Sequence, residues 1–411
     1  MASSMRADWA WSLAADMLMR LVPVIAVLVY FPLLGAEVAG TVLIALSYVT
    51  ALYLIVDLGL GLYGTRGIAE GDMDPEALHA EITVARAILL IPITALLIWV
   101  LNVVVGTSFL TALAFGGYLA ARGVSADWRL RGESRFRTFA LINFVAGGVQ
   151  LALLPFVTAE NWQSTVALPW LVAGVIMLVG TWRATGVAWA KMVAALTVRS
   201  LRHLARSYRF SLVSGIMTVV HQSPVIFLSF VYASGEMAGF AFTHRIALFV
   251  TLLSTALGHA LFPRLVKAAK TPGPESWLLT LRGVRAIGLM LILLAPLALL
   301  PLLIGELRTL YFPGVTLITF AALGLFAVSD SIRVLPMQLG FAWQQESRVM
   351  VITVTALAVH ILALSALYLT GQLTIEATSV VFMVTGLGIF AGMMALARRI
   401  SKQDKAPNRD I

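Results

Sequence analysis

Apolar runs long enough to cross a membrane recur along almost the whole of this 411-residue chain, separated by short connections. A helix that spans the hydrocarbon core of a bilayer needs about 20 apolar residues. Such runs fall at about 9–31, 38–62, 82–104, 108–127, 137–157, 166–188, 209–231, 237–262, 284–304, 313–334, 348–370 and 376–397. Hydrophobic residues make up 60% of the chain and charged residues 12%, more apolar surface than a soluble domain can bury. Lipid is therefore the solvent for most of the chain, and in lipid the backbone must satisfy its own hydrogen bonds, which favours helices. The predicted fold class is an all-α polytopic membrane protein with 12 transmembrane helices.

Basic residues predict the orientation. One set of connections reads FPLLGAEVAG, LNVVVGTS, VTAENWQST, VYASGEMAG, IGELRTLYFPG and TGQLTIEAT, and its only basic residue is Arg308. The other set carries Arg66, the cluster Arg122, Arg129, Arg131, Arg135 and Arg137, a further group from Arg183 to Arg209, and the tail ARRISKQDKAPNR. Lysine and arginine favour the cytoplasmic face, so both termini are expected inside. The formal charge of +9 is spread between apolar runs rather than gathered on a soluble face, which argues against nucleic acid as a partner. The first apolar stretch holds Asp16 and Arg20 and is long enough to span, so it is not expected to be a cleaved signal. The absence of cysteine excludes disulfides, thiolate metal sites and cysteine nucleophiles.

The longest connection, KMVAALTVRSLRHLARSYR, alternates apolar and basic faces. It reads as an interfacial helix over 191–208, with a solvated basic linker as the alternative. No GxxxxGK[ST] stretch occurs, so uphill movement of a solute would draw on an ion gradient, a concentration gradient or another chain.

The chain also matches itself. Shifted by 199 residues, Trp11-Ser12-Leu13 meets Phe210-Ser211-Leu212, Glu37-Val38-Ala39-Gly40 meets Glu236-Met237-Ala238-Gly239, and Leu58-Gly59 meets Leu257-Gly258. Glu133-Ser134-Arg135 and Glu346-Ser347-Arg348 each introduce a span. Six spans per half is an even number, so both halves insert the same way up. The expected organisation is an N-terminal six-helix lobe over 1–190, the linker over 191–208, a C-terminal six-helix lobe over 209–398 and a basic tail over 399–411, with two parallel lobes around a central cavity.

Four stretches carry a resemblance to a known family: LGAEVAGTVLIALSYVTALYLIVDLGLGLYGTRGIAEG, RGESRFRTFALINFVAGGVQLALL, SYRFSLVSGIMTVVHQSPVIFLSF and SGEMAGFAFTHRIALFVTLLSTALGHALFPRLVKAA. In order and spacing they resemble the polysaccharide transporters and Wzx-type O-antigen flippases of the multidrug/oligosaccharidyl-lipid/polysaccharide exporter superfamily. The resemblance implies two lobes meeting at a V-shaped cavity lined by helices 1, 2, 4, 7, 8 and 10. It further implies movement of undecaprenyl-pyrophosphate-linked oligosaccharide across the bacterial cytoplasmic membrane, for O antigen or another surface polysaccharide. A polysaccharide polymerase and a chain-length regulator are the implied partners. Neither an enzymatic activity nor a cofactor or metal is expected.

Charges inside a bilayer are costly and usually face water or protein. Those within the spans and away from the rims read as Asp16, Arg20, Asp57 and Arg245. Asp16 and Arg20 lie one turn apart and either neutralise each other or face a ligand. Arg245, preceded by His244, has no acid within a turn and is the leading candidate for an anionic substrate. Arg122 joins these as a cavity arginine, since guanidinium matches pyrophosphate with paired hydrogen bonds, and His221 and Gln222 lie at mid-depth. Asp57 begins the glycine-rich stretch DLGLGLYGTRGIAEG, and reads either as a structural pair or cap or as a protonatable coupling site. Arg122 and Asp127 on the fourth span face the counterpart positions Asp330 and Arg333 on the tenth, and read either as cross-lobe gating pairs or as residues solvated at the rim; His259 completes the coupling candidates. Two other functions remain open: a cation-coupled multidrug exporter, which needs unpaired acids in its cavity, and a membrane glycosyltransferase or ligase, which needs a larger external domain than these connections provide.

Overall fold

The computed structural model describes residues 2–57, 59–70, 74–186, 215–269, 275–303, 305–343 and 345–402. Every regular element among them is a helix. In chain order these are α1 (Ala2–Asp57), α2 (Leu60–Glu70), α3 (Pro75–Val103), α4 (Phe109–Gly123), α5 (Asp127–Gly132), α6 (Phe136–Leu153), α7 (Trp162–Thr165) and α8 (Leu168–Thr185). There follow α9 (Gly215–Leu228), α10 (Ala238–Ala269), α11 (Glu275–Leu303), α12 (Gly305–Tyr311), α13 (Leu317–Ala342), α14 (Glu346–Leu369) and α15 (Ile375–Ile400).

Eight helical stretches among the described residues are long and apolar enough to cross a membrane, and Gly215–Leu228 and Ala238–Thr251 are shorter apolar stretches. The chain is a multi-pass membrane protein. Its outer faces fit that solvent: Ile91 is 77% exposed, Leu317 78% and Leu369 81%. Apolar side chains exposed on helices of this length and hydropathy suit lipid as their solvent.

The stretch α1 is two helices that meet at Gly35, whose φ of 85° and ψ of 175° are non-helical, in the connection expected between the first two spans. A Cβ there would meet nothing within 4 Å, so the backbone conformation rather than crowding requires glycine. One boundary differs from that read in the sequence. The third span begins seven residues earlier than expected, at Pro75 rather than 82. Asp74 caps it, accepting from the backbone N–H groups of Glu76 and Ala77 at 3.3 and 3.2 Å, and Pro75 sits in the first turn. An acid at the cap followed by proline starts a helix whatever the hydropathy of the next residues.

The chain separates into two compact units, Met1–Ala238 and Gly239–Ile411. The expected linker helix, 191–208, lies outside the described residues, as do 403–411 of the basic tail. The described part of the seventh span, α9, packs within the first unit. A hydrogen bond of 2.9 Å joins Ser229, just beyond its end, to the Tyr48 hydroxyl, and a Cβ at Gly215 would lie 3.0 Å from Leu54. In the second unit the main contact is α13 against α15, where Phe326 and Phe382 stack with ring centroids 3.6 Å apart.

Gly40 and Gly239, which the 199-residue shift pairs, share one local device. Each lies against the backbone of a later connection, Gly40 on the Ser234 carbonyl and Gly239 on Pro313. A side chain at either position would push the two backbones apart.

Candidate functional site

The glycine-rich exit of α1 builds a charged helix crossing inside the first unit. Asp57 is the last residue of α1, Gly59 has a φ of 73°, and α2 restarts at Leu60. The left-handed residue ends one helix, and the carboxylate before it caps the next: Gly61 N–H donates to Asp57 Oδ1 at 3.1 Å. The glycine face of α2 lets two bulky groups approach. A Cβ at Gly61 would lie 2.9 Å from Arg86 Nη2, and one at Gly64 would run into the Trp128 ring. Thr65 fixes the same face through its hydroxyl, 2.9 Å from the Trp128 carbonyl.

Arg86, on α3, is the centre of the crossing. Its Nη2 donates to Asp57 Oδ1 in an ion pair, and its Nη1 donates to the Ser125 carbonyl at 3.3 Å. The Arg86 side chain is 2% exposed and that of Asp57 18%. Neither charge could remain at such depth alone, because stranding one partner of a buried pair costs about 3–5 kcal/mol. Ser125 lies between α4 and α5, with its hydroxyl 2.9 Å from the Arg122 carbonyl and 3.2 Å from Asp127 Oδ1.

Arg122 is half-buried in the last turn of α4. Its guanidinium carbon stands 4.9 Å from the centre of the Tyr53 ring and 5.8 Å from that of Tyr118, and Nη1 reaches the Tyr118 hydroxyl at 3.4 Å. The charges of Asp57, Arg86, Asp127 and Arg122 all bear on Tyr53. Two arginines and two aspartates therefore balance one another across four helices. Arg122 is the more exposed of the two arginines.

The crossing extends towards α8. Ala126 N–H donates to Thr181 Oγ1 at 3.1 Å, and Trp182 Nε1 to the Val124 carbonyl at 2.8 Å. His79, fully buried on α3, is 3.4 Å from Arg129 Nη1 and edges onto the rings of Trp128 and Trp182. Arg129 in turn holds Glu133 at 2.6 Å. Arg135 completes the rim, donating to Glu133 Oε2 at 3.3 Å and to the Ala184 carbonyl at 2.7 Å.

The second unit holds a different polar core. Arg333 Nε donates to Asp330 Oδ1 at 2.5 Å, three residues apart on α13, with both side chains buried. His244 on α10 is fully buried, with its ring centre 5.9 Å from that of Phe240 and 5.3 Å from that of Phe382. His360 is also fully buried, with Nδ1 2.8 Å from Thr385 Oγ1.

Of the candidates read from the sequence, Asp57, Arg122 and Asp127 meet at the crossing. Gln222 is buried and His221 half-buried on α9, also in the first unit. Asp330, Arg333, His244 and the half-buried Arg245 belong to the second unit. The side chains of Asp16 and Arg20 on α1 and of His259 on α10 lie outside the described residues. The partners seen for the expected gating residues lie within each unit: Arg333 holds Asp330, and Arg122 stands over Tyr53 and Tyr118.

Sequence reading missed Arg86, a fifth charge lying inside the span expected over 82–104. An arginine within an apolar run demands a buried acid, and that signal was available. His79 was missed because the span was started too late. His360, which carried no sequence signal as a site residue, is packed between α14 and α15.

The fold has known counterparts. Over 96% of this chain and 96% of the other, it is similar to the eukaryotic MATE transporter AtDTX14, with a TM-score of 0.64 and 11% identity. It is similar over 95% of the chain and 98% of the other to an inward-facing multidrug resistance MATE family transporter of the MOP superfamily, with a TM-score of 0.62 and 14% identity. The lipid II flippase MurJ, in an inward closed conformation, matches over 95% of this chain and 90% of its own, with a TM-score of 0.61 and 11% identity. No protein-family model matches the sequence, and no curated protein matches it. At these identities the likeness is one of fold, and it extends from end to end.

Proposed function

We propose that this protein is a flippase of the cytoplasmic membrane that carries undecaprenyl-pyrophosphate-linked oligosaccharide from the inner to the outer leaflet. It works by alternating access between two six-helix lobes, with 12 crossings and both termini inside. The observation that carries this reading is the end-to-end likeness of fold to a lipid II flippase and to MATE transporters. The arginine-bearing spans and the resemblance to Wzx-type flippases support a phosphate-bearing substrate among the solutes such a fold can carry. Arg122, Arg245 and Arg20 hold the headgroup in this account, with His221, Gln222 and His244 beside it. The prenyl tail stays in the bilayer, and a polymerase and chain-length regulator take the product outside.

A cation-coupled drug exporter is the second reading, favoured by the MATE likeness. It asks for unpaired acids, whereas Asp57 and Asp330 each hold an arginine. Complementation tests the choice. The chain should restore surface glycan to a strain lacking its own flippase, and R122A and R245A should each lower that activity at least about tenfold at equal expression, the equivalent of about 1.4 kcal/mol. Full activity in both variants would remove the arginines from the mechanism. Drug resistance without glycan export would favour the second reading.

A further inference from the structure

The contacts around Arg86 close on themselves. From Asp57 at the end of α1 they pass to Arg86 on α3, then to the Ser125 carbonyl, whose residue's hydroxyl reaches the Arg122 carbonyl. Arg122 leads on to Tyr53 by its guanidinium, and Tyr53 stands one turn before Asp57 on the same helix. The ring therefore ties the helix break at Gly59 to the last turn of α4 through one buried guanidinium. Arg86, 1% exposed, is too deep to touch a solute, whereas Arg122 is only partly buried.

We infer that Arg86 is a positioning residue, which holds the α4 turn against the α1–α2 break and so fixes where Arg122 presents its charge to a phosphate group. The role of Arg122 rests on the flippase reading; the ring itself does not. A guanidinium suits this task because its fork serves two acceptors in fixed directions, one the Asp57 carboxylate and the other the Ser125 carbonyl. A lysine keeps the charge but cannot span both, so charge and positioning are separable by substitution. Because both halves of the ring pass through one side chain, breaking it at Asp57 or at Arg86 opens the same structure, and a second break adds little.

The chain contains no cysteine, so a single introduced thiol reports without background. Ala126, adjoining Ser125, is fully buried in the turn that the ring holds. In native membranes, A126C should react slowly with a maleimide. Adding R86Q should speed labelling by about tenfold or more, as expected when local opening becomes easier by about 1.4 kcal/mol. D57N should do the same, and the D57N/R86Q pair should stay within about threefold of either alone. R86K should also label faster than the native ring, because one of its two acceptors is lost. In the complementation assay, R86Q should add nothing to the defect of R122A.

Native-rate labelling in R86Q or R86K overturns the inference, and so does a pair whose labelling multiplies the two single effects. If R86Q does not accumulate in the membrane, R86K alone decides on the same criterion. Labelling needs no substrate. A chain that fails to restore surface glycan but shows the predicted labelling sinks the flippase reading and leaves the ring standing; restored glycan with native-rate labelling does the reverse.

Discussion

Asp57 and Arg86 face each other from different helices, 29 residues apart, whereas Asp330 and Arg333 lie three residues apart on a single helix. Both pairs neutralise charge that lipid or a protein interior would otherwise penalise. The first also fixes the geometry between helices, because its arginine holds the Ser125 carbonyl as well and its carboxylate the Gly61 N–H. The second joins two positions of one helix, and α13 packs on α15 by aromatic and small residues, as in the contact of Phe326 with Phe382 and of Gly386 beneath it. An ion pair within one helix is a solubility device for the interior; one between helices is also a mechanical link.

The largest expected effects do not yet distinguish the two. Arg86→Met and Arg333→Met each strand a buried carboxylate and should destabilise the purified protein by about 3–5 kcal/mol, read by denaturant unfolding in detergent. Removing both charges separates them. Asp330→Leu with Arg333→Met should cost less than about 1 kcal/mol, since a buried pair can be exchanged for apolar groups of similar size. Asp57→Leu with Arg86→Met should retain a deficit of about 1–3 kcal/mol, because the Ser125 carbonyl and the Gly61 N–H lose their partners. Equal costs for the two double variants would erase the contrast.

Packing around the crossing gives the next smaller effect. Gly64→Ala drives a methyl into Trp128 and Ile82 and should cost about 1–3 kcal/mol, whereas Gly148→Ala meets nothing within 4 Å and should be close to neutral. Thermal unfolding of the two variants side by side tests whether the α2 approach is as tight as described. Helix caps come last and should be alike in both units. Asp74→Ala at α3 and Thr374→Ala at α15 should each cost about 1 kcal/mol. A much larger loss at Asp74 would mean that the start of α3 is tied into the charged crossing as well.

The helices were legible because lipid imposes a length on each span, and apolar runs of that length have few alternative readings. The glycine-rich stretch after Asp57 was legible as a break in a helix, and Asp57 as either a structural pair or a coupling site. The partner was not legible, because Arg86 reaches it only once α3 packs beside the end of α1, and the sequence carries no periodicity linking positions so far apart. The start of α3 could have been found from Asp74, Pro75 and Glu76, but hydropathy drew attention to the residues after them. Asp330 and Arg333 show a second gap. Their spacing of three on one helix allows the local pair that the structure forms, whereas from the sequence they read only as reaching partners on the other lobe or as solvated at the rim.

The account turns on what the fold moves. Reconstituted into vesicles with a labelled undecaprenyl-pyrophosphate oligosaccharide, the native protein should carry the headgroup across the bilayer, detected as loss of its accessibility to an enzyme added outside. R122A should slow that movement at least about tenfold. Native protein that leaves the headgroup where it started while expelling a cationic dye from the same vesicles would contradict the account.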